Sequence, residues 1–254
     1  MEYFVNEKSV VRKIWGKSDT ILFVFAGAAA EFALNKAVDW LYYTGRLPAD
    51  PLGRLFSTVM YARRIVFSEN TEAIRAIDQI TDIHRTVEKS RGAKIPAWAY
   101  RDVLFMLIHY SIASFELLER KLGDEEKDDL YDVFYRMGKR MMIEDLPRNF
   151  ASWMVMREDH LQNNLVKSDF STDLFRQYKK HLGWARFILL KESQKLVCPP
   201  IVIRLLNFGR VAFLKPVIGL YKFSRRVKLD HAIKAMILPP EYKKQINALD
   251  RVAG

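Results

Sequence analysis

Two short stretches of this chain combine residue types that can do chemistry on a helical scaffold: Arg54-Leu55-Phe56-Ser57-Thr58 and, later, Ile83-His84-Arg85-Thr86-Val87. Arg54 and Thr58 stand four residues apart, one above the other on a single helix face. His84 shares an apolar stripe with Ile77, Ile80 and Val87. A histidine at such an address has two uses. It is either a core residue whose ring nitrogens find carbonyl partners, or a neutral imidazole held in an apolar pocket as an axial ligand to haem iron. In the second case Arg54 supplies a fixed cation and donor for a propionate or an oxygen species, and Thr58 a hydroxyl that positions its neighbours. In the first, the pair is an ordinary Arg near a helix start and a Thr facing a carbonyl. Spacing alone leaves both readings open.

His109 has a similar address, between Phe105, Ile108 and Ile112. At about 1.5 Å of rise per residue, it and His84 fall at unlike depths on antiparallel helices. A bis-histidine pair is therefore not expected, and His109 reads as a pocket-wall or core residue. Trp153, Arg157 and His160 recur at i, i+4 and i+7 and read as a surface cation–π stack or a pocket rim, with surface packing preferred. His181 and His231 stand alone. The run Asp124-Glu125-Glu126 reads as a helix start. No HExxH, GxSxG, phosphate-binding loop or dinucleotide fingerprint is present.

Helical periodicity must position these residues, because strand alternation is almost absent. The pattern predicts a helix over 8–15 and a second from Ser18 or Asp19 to about Tyr43. A third carries Arg54 and Thr58 to about Phe67, and a fourth carries His84 and stops before Gly92. A long helix from Pro96 to about Leu122 holds His109, with Gly123 as its terminator. Helices over 125–142, 149–163, 171–182 and 184–196 follow, then a less regular helical tail broken at Pro199-Pro200 and at Pro239-Pro240 before Glu241 to Val252. The expectation is one all-α domain over residues 1–254, with a buried pocket.

Bulk composition agrees. Half of the 254 residues are apolar and 13% aromatic, with only 11 Gly and 9 Pro, which suits a large helical core and not a sandwich, barrel or disordered chain. The single cysteine, Cys198, excludes an intramolecular disulfide and a Cys-rich metal site. Met1 to Lys17 mixes charges with apolar residues and does not read as a secretory signal. Ile21 to Leu34 is the most apolar stretch, but it is short and Glu31 interrupts it, so it reads as a buried helix and not a bilayer span. A cytoplasmic location is expected. The formal net charge is +11, with much of the excess after residue 200. There Phe208, Val211, Phe213, Leu214, Val217, Leu220 and Phe223 interleave with cations. This reads either as a basic amphipathic region in peripheral contact with an anionic membrane or as the solvated face of a basic protein; no nucleic-acid signature accompanies it.

Arg54-x-x-x-Thr58, Ile83-His84-Arg85-Thr86-Val87 and Leu107-Ile108-His109, in that order, resemble the mpaB/rubber-oxygenase family, whose members share a haem-containing, all-helical catalytic domain. Asp50-Pro51-Leu52-Gly53-Arg54-Leu55 is similar to the run that precedes the family threonine, and Tyr131, Gly138, Leu146-Pro147 and Trp153 extend the likeness over about residues 20 to 200. The resemblance implies haem b, with His84 at the axial-ligand position, Arg54 and Thr58 in the pocket and His109 as a lesser contributor. It also implies dioxygen-dependent oxidative cleavage of carbon–carbon double bonds in a hydrophobic, isoprenoid or unsaturated lipid substrate. Ser57 stands where rubber-cleaving members carry a lysine, and Asn35-Lys36 replaces a His-Pro element. Glu31 is the one nearby candidate for the family's upstream acid. Rubber itself is therefore not the expected substrate. The alternatives from other classes are a haem-free helical protein that binds lipid or a membrane surface, and a helical interaction module with an inert His84.

Overall fold

The computed structural model describes residues 2–45, 49–209 and 211–226. Its order of elements follows from caps and breakers that the side chains supply. Ser9 opens α1 (Val10–Trp15), its Oγ accepting from the Val11 N–H at 3.1 Å. The apolar run forms α2 (Ser18–Phe32), which stops well short of Tyr43. The reason is Asn35, whose side-chain oxygen accepts from the Ala37 N–H at 2.8 Å and offers the backbone an alternative to the helix. The short α3 (Asp39–Tyr43) is therefore separate.

Asp50 caps α4 (Pro51–Phe67) by accepting from the Gly53 N–H at 2.8 Å, with Pro51 in the first turn where its missing N–H costs nothing. Next comes α5 (Asn70–Arg91), ended by Gly92 at φ 69°, the left-handed cap conformation glycine adopts most readily. The long helix α6 (Ala97–Leu118) ends at Glu119, earlier than the spacing predicts, because Glu116 turns back to accept from the Leu122 N–H. Gly123 then precedes α7 (Asp124–Arg140) instead of closing α6, and the acids of the first turn and bases of the last suit the helix dipole. Asn149 caps α8 (Phe150–Asn163). The two helices expected over 171–196 are both present, as the two halves of α9 (Asp169–Val197) on either side of a kink at Gly183, whose φ of 73° and ψ of 169° are not helical. Two further elements, α10 (Pro200–Leu205) and α11 (Lys215–Arg226), complete the described chain. The break expected at Pro239-Pro240, the helix after it and His231 lie outside the described residues.

The fold is all-α: among the described residues there is no strand, and extended pairing is limited to the bridges Tyr3–Glu69 and Asn35–Leu165. One large core, with Trp15, Ile77, Phe105, Tyr110 and Leu130 almost wholly buried, joins α1, α2, α4 to α8 and the end of α9. At its centre α2 packs along α6, and α4 packs along α5. The α2–α6 approach depends on Gly27. A Cβ there would sit 2.2 Å from Cδ1 of Tyr110, so only glycine lets that ring lie flat against α2. Among the described residues no helix is long and apolar enough to cross a membrane.

Candidate functional site

The pairing of α4 with α5 brings Arg54 and His84 together, close enough for the Arg54 charge to act on the imidazole. Burial first, then Arg54, push the His84 pKa down to about 4, with Glu88 opposing. The ring is thus neutral near pH 7. Its Nδ1 is shut away from solvent without a hydrogen-bond partner, which is uncommon for a buried polar atom. Tyr100, on the first turns of α6, braces the ring edge-on at 5.1 Å between centroids. The Tyr100 hydroxyl donates to Glu88 at 3.2 Å, and Glu88 also accepts from the Ile95 N–H at 2.8 Å. The turn between α5 and α6 is in this way pinned beside His84. Thr58 and Ser57 both donate to the Arg54 carbonyl, at 3.1 and 2.7 Å. The Thr58 hydroxyl proton is therefore engaged by its own helix and its oxygen remains an acceptor. A surface groove follows Met60, Tyr61 and Phe67 beyond this turn and does not include His84.

His109 answers to a different set of charges. Burial and Arg157 lower its pKa to about 4, against Glu31 and a backbone hydrogen bond at Val197. Its Nε2 is buried and unpartnered.

Those charges belong to a buried ionic network that the sequence reading did not assemble. Glu31 of α2 is 0% exposed, and Arg157 and His160 of α8 are 4% and 2% exposed. This corrects the expectation that Trp153, Arg157 and His160 form a surface stack: all three point inward, and Trp153 packs edge-on against Phe105. The Arg157 guanidinium grips both Glu31 oxygens, with Nη2 donating to Oε2 at 2.5 Å. His160 Nε2 lies 3.0 Å from Glu31 Oε1, and its Nδ1 lies 2.7 Å from Asp102 of α6. Tyr110 donates to Glu31 Oε2 at 2.8 Å, one turn along α2 from the glycine that admits its ring. Asn35 and Asn164 donate to Asp102 at 3.3 and 2.9 Å.

Burial alone would raise the Glu31 pKa, but Arg157 and His160 outweigh it and hold the carboxyl far below the usual carboxylate range. Burial likewise opposes a charged His160, yet Asp102 and Glu31 prevail and its pKa is raised. Two carboxylates thus face two cations, a balance that makes interior charge tolerable. Glu31 carried the one available signal, a lone acid inside the most apolar stretch of the chain. Its partners, 126 and 129 residues away, gave none that spacing could join to it.

Among the described residues no group of three or more His, Cys, Asp or Glu is arranged to hold a metal ion. What the helices do bring together is a neutral imidazole beside an arginine and, separately, a buried network of paired carboxylates and bases. That defines a class of protein: an all-helical domain with a neutral, half-buried histidine beside an arginine. Residues 13–232 match the family model of the ER-bound oxygenase mpaB/B'/rubber oxygenase catalytic domain. The chain belongs to this oxygenase family. No curated protein and no solved structure matches it.

Proposed function

We propose that this protein is a haem b-dependent oxygenase acting on a hydrophobic, unsaturated substrate, in which His84 would hold the iron. The observation that carries the reading is the buried, partnerless Nδ1 of His84 on a ring kept neutral by burial and by Arg54. A neutral imidazole with a free lone pair is the form that ligates iron. Haem b, when bound, would supply the redox-active iron that dioxygen chemistry at a carbon–carbon double bond requires.

The chain's own residues contribute binding, orientation and water exclusion. Arg54 is the cation best placed to meet a carboxylate on the same side as His84. Thr58 presents an acceptor oxygen one turn away. Tyr100 restrains rotation of the His84 ring through its contact and its bond to Glu88. His109, also neutral, contributes to the pocket only as a polar group in apolar surroundings. Ser57 occupies the place of the lysine found in rubber-cleaving relatives, so we assign a smaller apolar substrate than rubber.

The test is the visible absorption spectrum of protein purified from haem-supplemented cells, beside His84→Ala. A Soret band in the wild type that vanishes in a folded variant supports ligation and leads to oxygen-consumption assays with unsaturated lipids. A colourless wild type that takes up no added hemin refutes the haem reading. Loss of fold in His84→Ala with no chromophore in either protein would make His84 a core residue.

A further inference from the structure

The charge of this chain is concentrated in one place. From Lys179 to Arg226 the sequence carries eleven Lys or Arg and a single acid, Glu192. That leaves thirty basic against twenty-nine acidic residues elsewhere, so this segment accounts for nearly all of the +11. Glu192 is itself buried and neutralised, accepting from Lys195 Nζ at 2.6 Å and from the Phe213 N–H at 2.7 Å. No acid therefore tempers the field of this region from within.

The same segment exposes large apolar side chains in a regular pattern. Phe213, Val217 and Leu220 fall at i, i+4 and i+7 and are 72%, 46% and 69% exposed. Val217 and Leu220 lie on α11 and Phe213 in the turn that leads into it, and the helix is anchored to the body of the protein where the Tyr221 hydroxyl donates to Asp19 at 3.1 Å. On α9, beyond the Gly183 break, Trp184, Ile188, Lys191 and Lys195 recur at i, i+4, i+7 and i+11, with Trp184 69% and Ile188 40% exposed. The two stripes are joined by cation–π contacts. Lys191 Nζ lies 5.1 Å from the Phe208 ring and Lys195 Nζ 5.6 Å from the Phe213 ring, and Lys195 also donates to the Val211 carbonyl at 3.0 Å.

We propose that this face, built from the second half of α9 and from residues 208–209 and 211–222, docks onto the surface of an anionic lipid bilayer. The argument is complementarity. Scattered exposed apolar residues are ordinary, but exposed apolar side chains within a segment of eleven cations and one acid are the composition that seats a helix in a headgroup layer. Trp184 is an aromatic of the kind that favours the interface, and the lysine stems can cover apolar surface while their ammonium groups reach lipid phosphate or carboxylate. A protein partner would need an acidic apolar surface of matching shape, whereas an anionic bilayer offers both properties without one.

The experiment is co-sedimentation of the full chain with phosphatidylcholine vesicles, with and without phosphatidylserine, at low salt and in about 0.5 M NaCl. The triple variant Trp184→Ser/Phe213→Ser/Leu220→Ser is run alongside, with circular dichroism as the check on its fold. Wild-type binding at least about tenfold stronger to the anionic vesicles, weakened by salt and lost in the folded triple variant, is the expected result. Absence of vesicle binding by the wild type overturns the proposal, as does equal binding by the variant. So does binding to duplex DNA without binding to vesicles, or a concentration-dependent dimer that the triple variant abolishes while vesicles are ignored. Should the triple variant fail to fold, Leu220→Ser alone, at a fully outward position of α11, replaces it under the same criteria.

Discussion

Replacing Glu31 by glutamine removes one unit of charge from a site with no solvent access and leaves almost the same shape behind. In the wild type that carboxylate receives both arms of Arg157, His160 at 3.0 Å and Tyr110 at 2.8 Å. Glutamine keeps one acceptor oxygen, turns the other position into a donor facing the guanidinium, and leaves Asp102 as the sole carboxylate against two cations. Breaking a buried pair by removing one partner costs about 3–5 kcal/mol, a third or more of the stability of a typical domain. For a chain of this size that corresponds to a fall in Tm of roughly 10 °C. Urea unfolding followed by far-ultraviolet circular dichroism measures it, with Arg157→Met and the double variant completing a cycle. The double variant, which removes both charges of the bidentate pair, is expected to be less destabilised than the sum of the singles by at least about 1.5 kcal/mol. A loss below about 1 kcal/mol in Glu31→Gln, or strict additivity, would mean that the site is hydrated in solution and that the network reasoning is wrong.

The pH dependence has a worked sign. His84 and His109, with native pKa values near 4 against about 6.5 unfolded, take up protons more readily when unfolded. Stability should therefore fall as pH drops from about 6.5 to 4, and His109→Phe should flatten that slope in thermal melts across the range. His160 acts oppositely: its raised pKa gives stability that is fully present below about 6.5 and lost as pH rises through the native value, so melts of His160→Gln should lose this alkaline decline. The depressed pKa of Glu31 adds stability present above about 4 and lost only in strong acid, and Glu31→Gln should remove that limb of an acid titration. Gly27→Ala drives a methyl into the Tyr110 ring and should cost about 1–3 kcal/mol in urea unfolding. The neutral His84 also predicts that haem uptake, followed in the Soret region, persists down to about pH 5 and fails below about pH 4.

Helical class, and most helix starts, were legible because local chemistry decides them. Asp50, Asn149 and Gly92 cap or end their helices through groups within three residues. The misjudged ends came from side chains acting against the local pattern: Asn35 truncates α2, and Glu116 closes α6 before Gly123 is reached. Arg54 and His84 could be singled out because each departs from its surroundings in type, and the fold brings the two close. Tyr100 escaped notice because one more aromatic in an aromatic-rich helix carries no mark. Arg157 and His160 were placed on the surface because a stripe of Trp, Arg and His has the same spacing whether it faces solvent or a buried acid. Only the knowledge that Glu31 needed partners could have turned that stripe inward, and period counting does not connect α2 to α8.

That separation bears on how the chain assembles. Glu31 and Arg157 lie 126 residues apart in sequence, so closing their contact carries the entropy cost of a long loop. A helix pair formed by α2 and α6 alone would hold two acids, Glu31 and Asp102, without the cations that α8 supplies. We expect the ionic lock to close late in assembly, so that weakening it accelerates unfolding more than it slows refolding in stopped-flow measurements of Glu31→Gln. Sealing the α2–α6 pair before α8 docks would bury Glu31 without its arginine, a cost that disfavours early closure of the wrong pair.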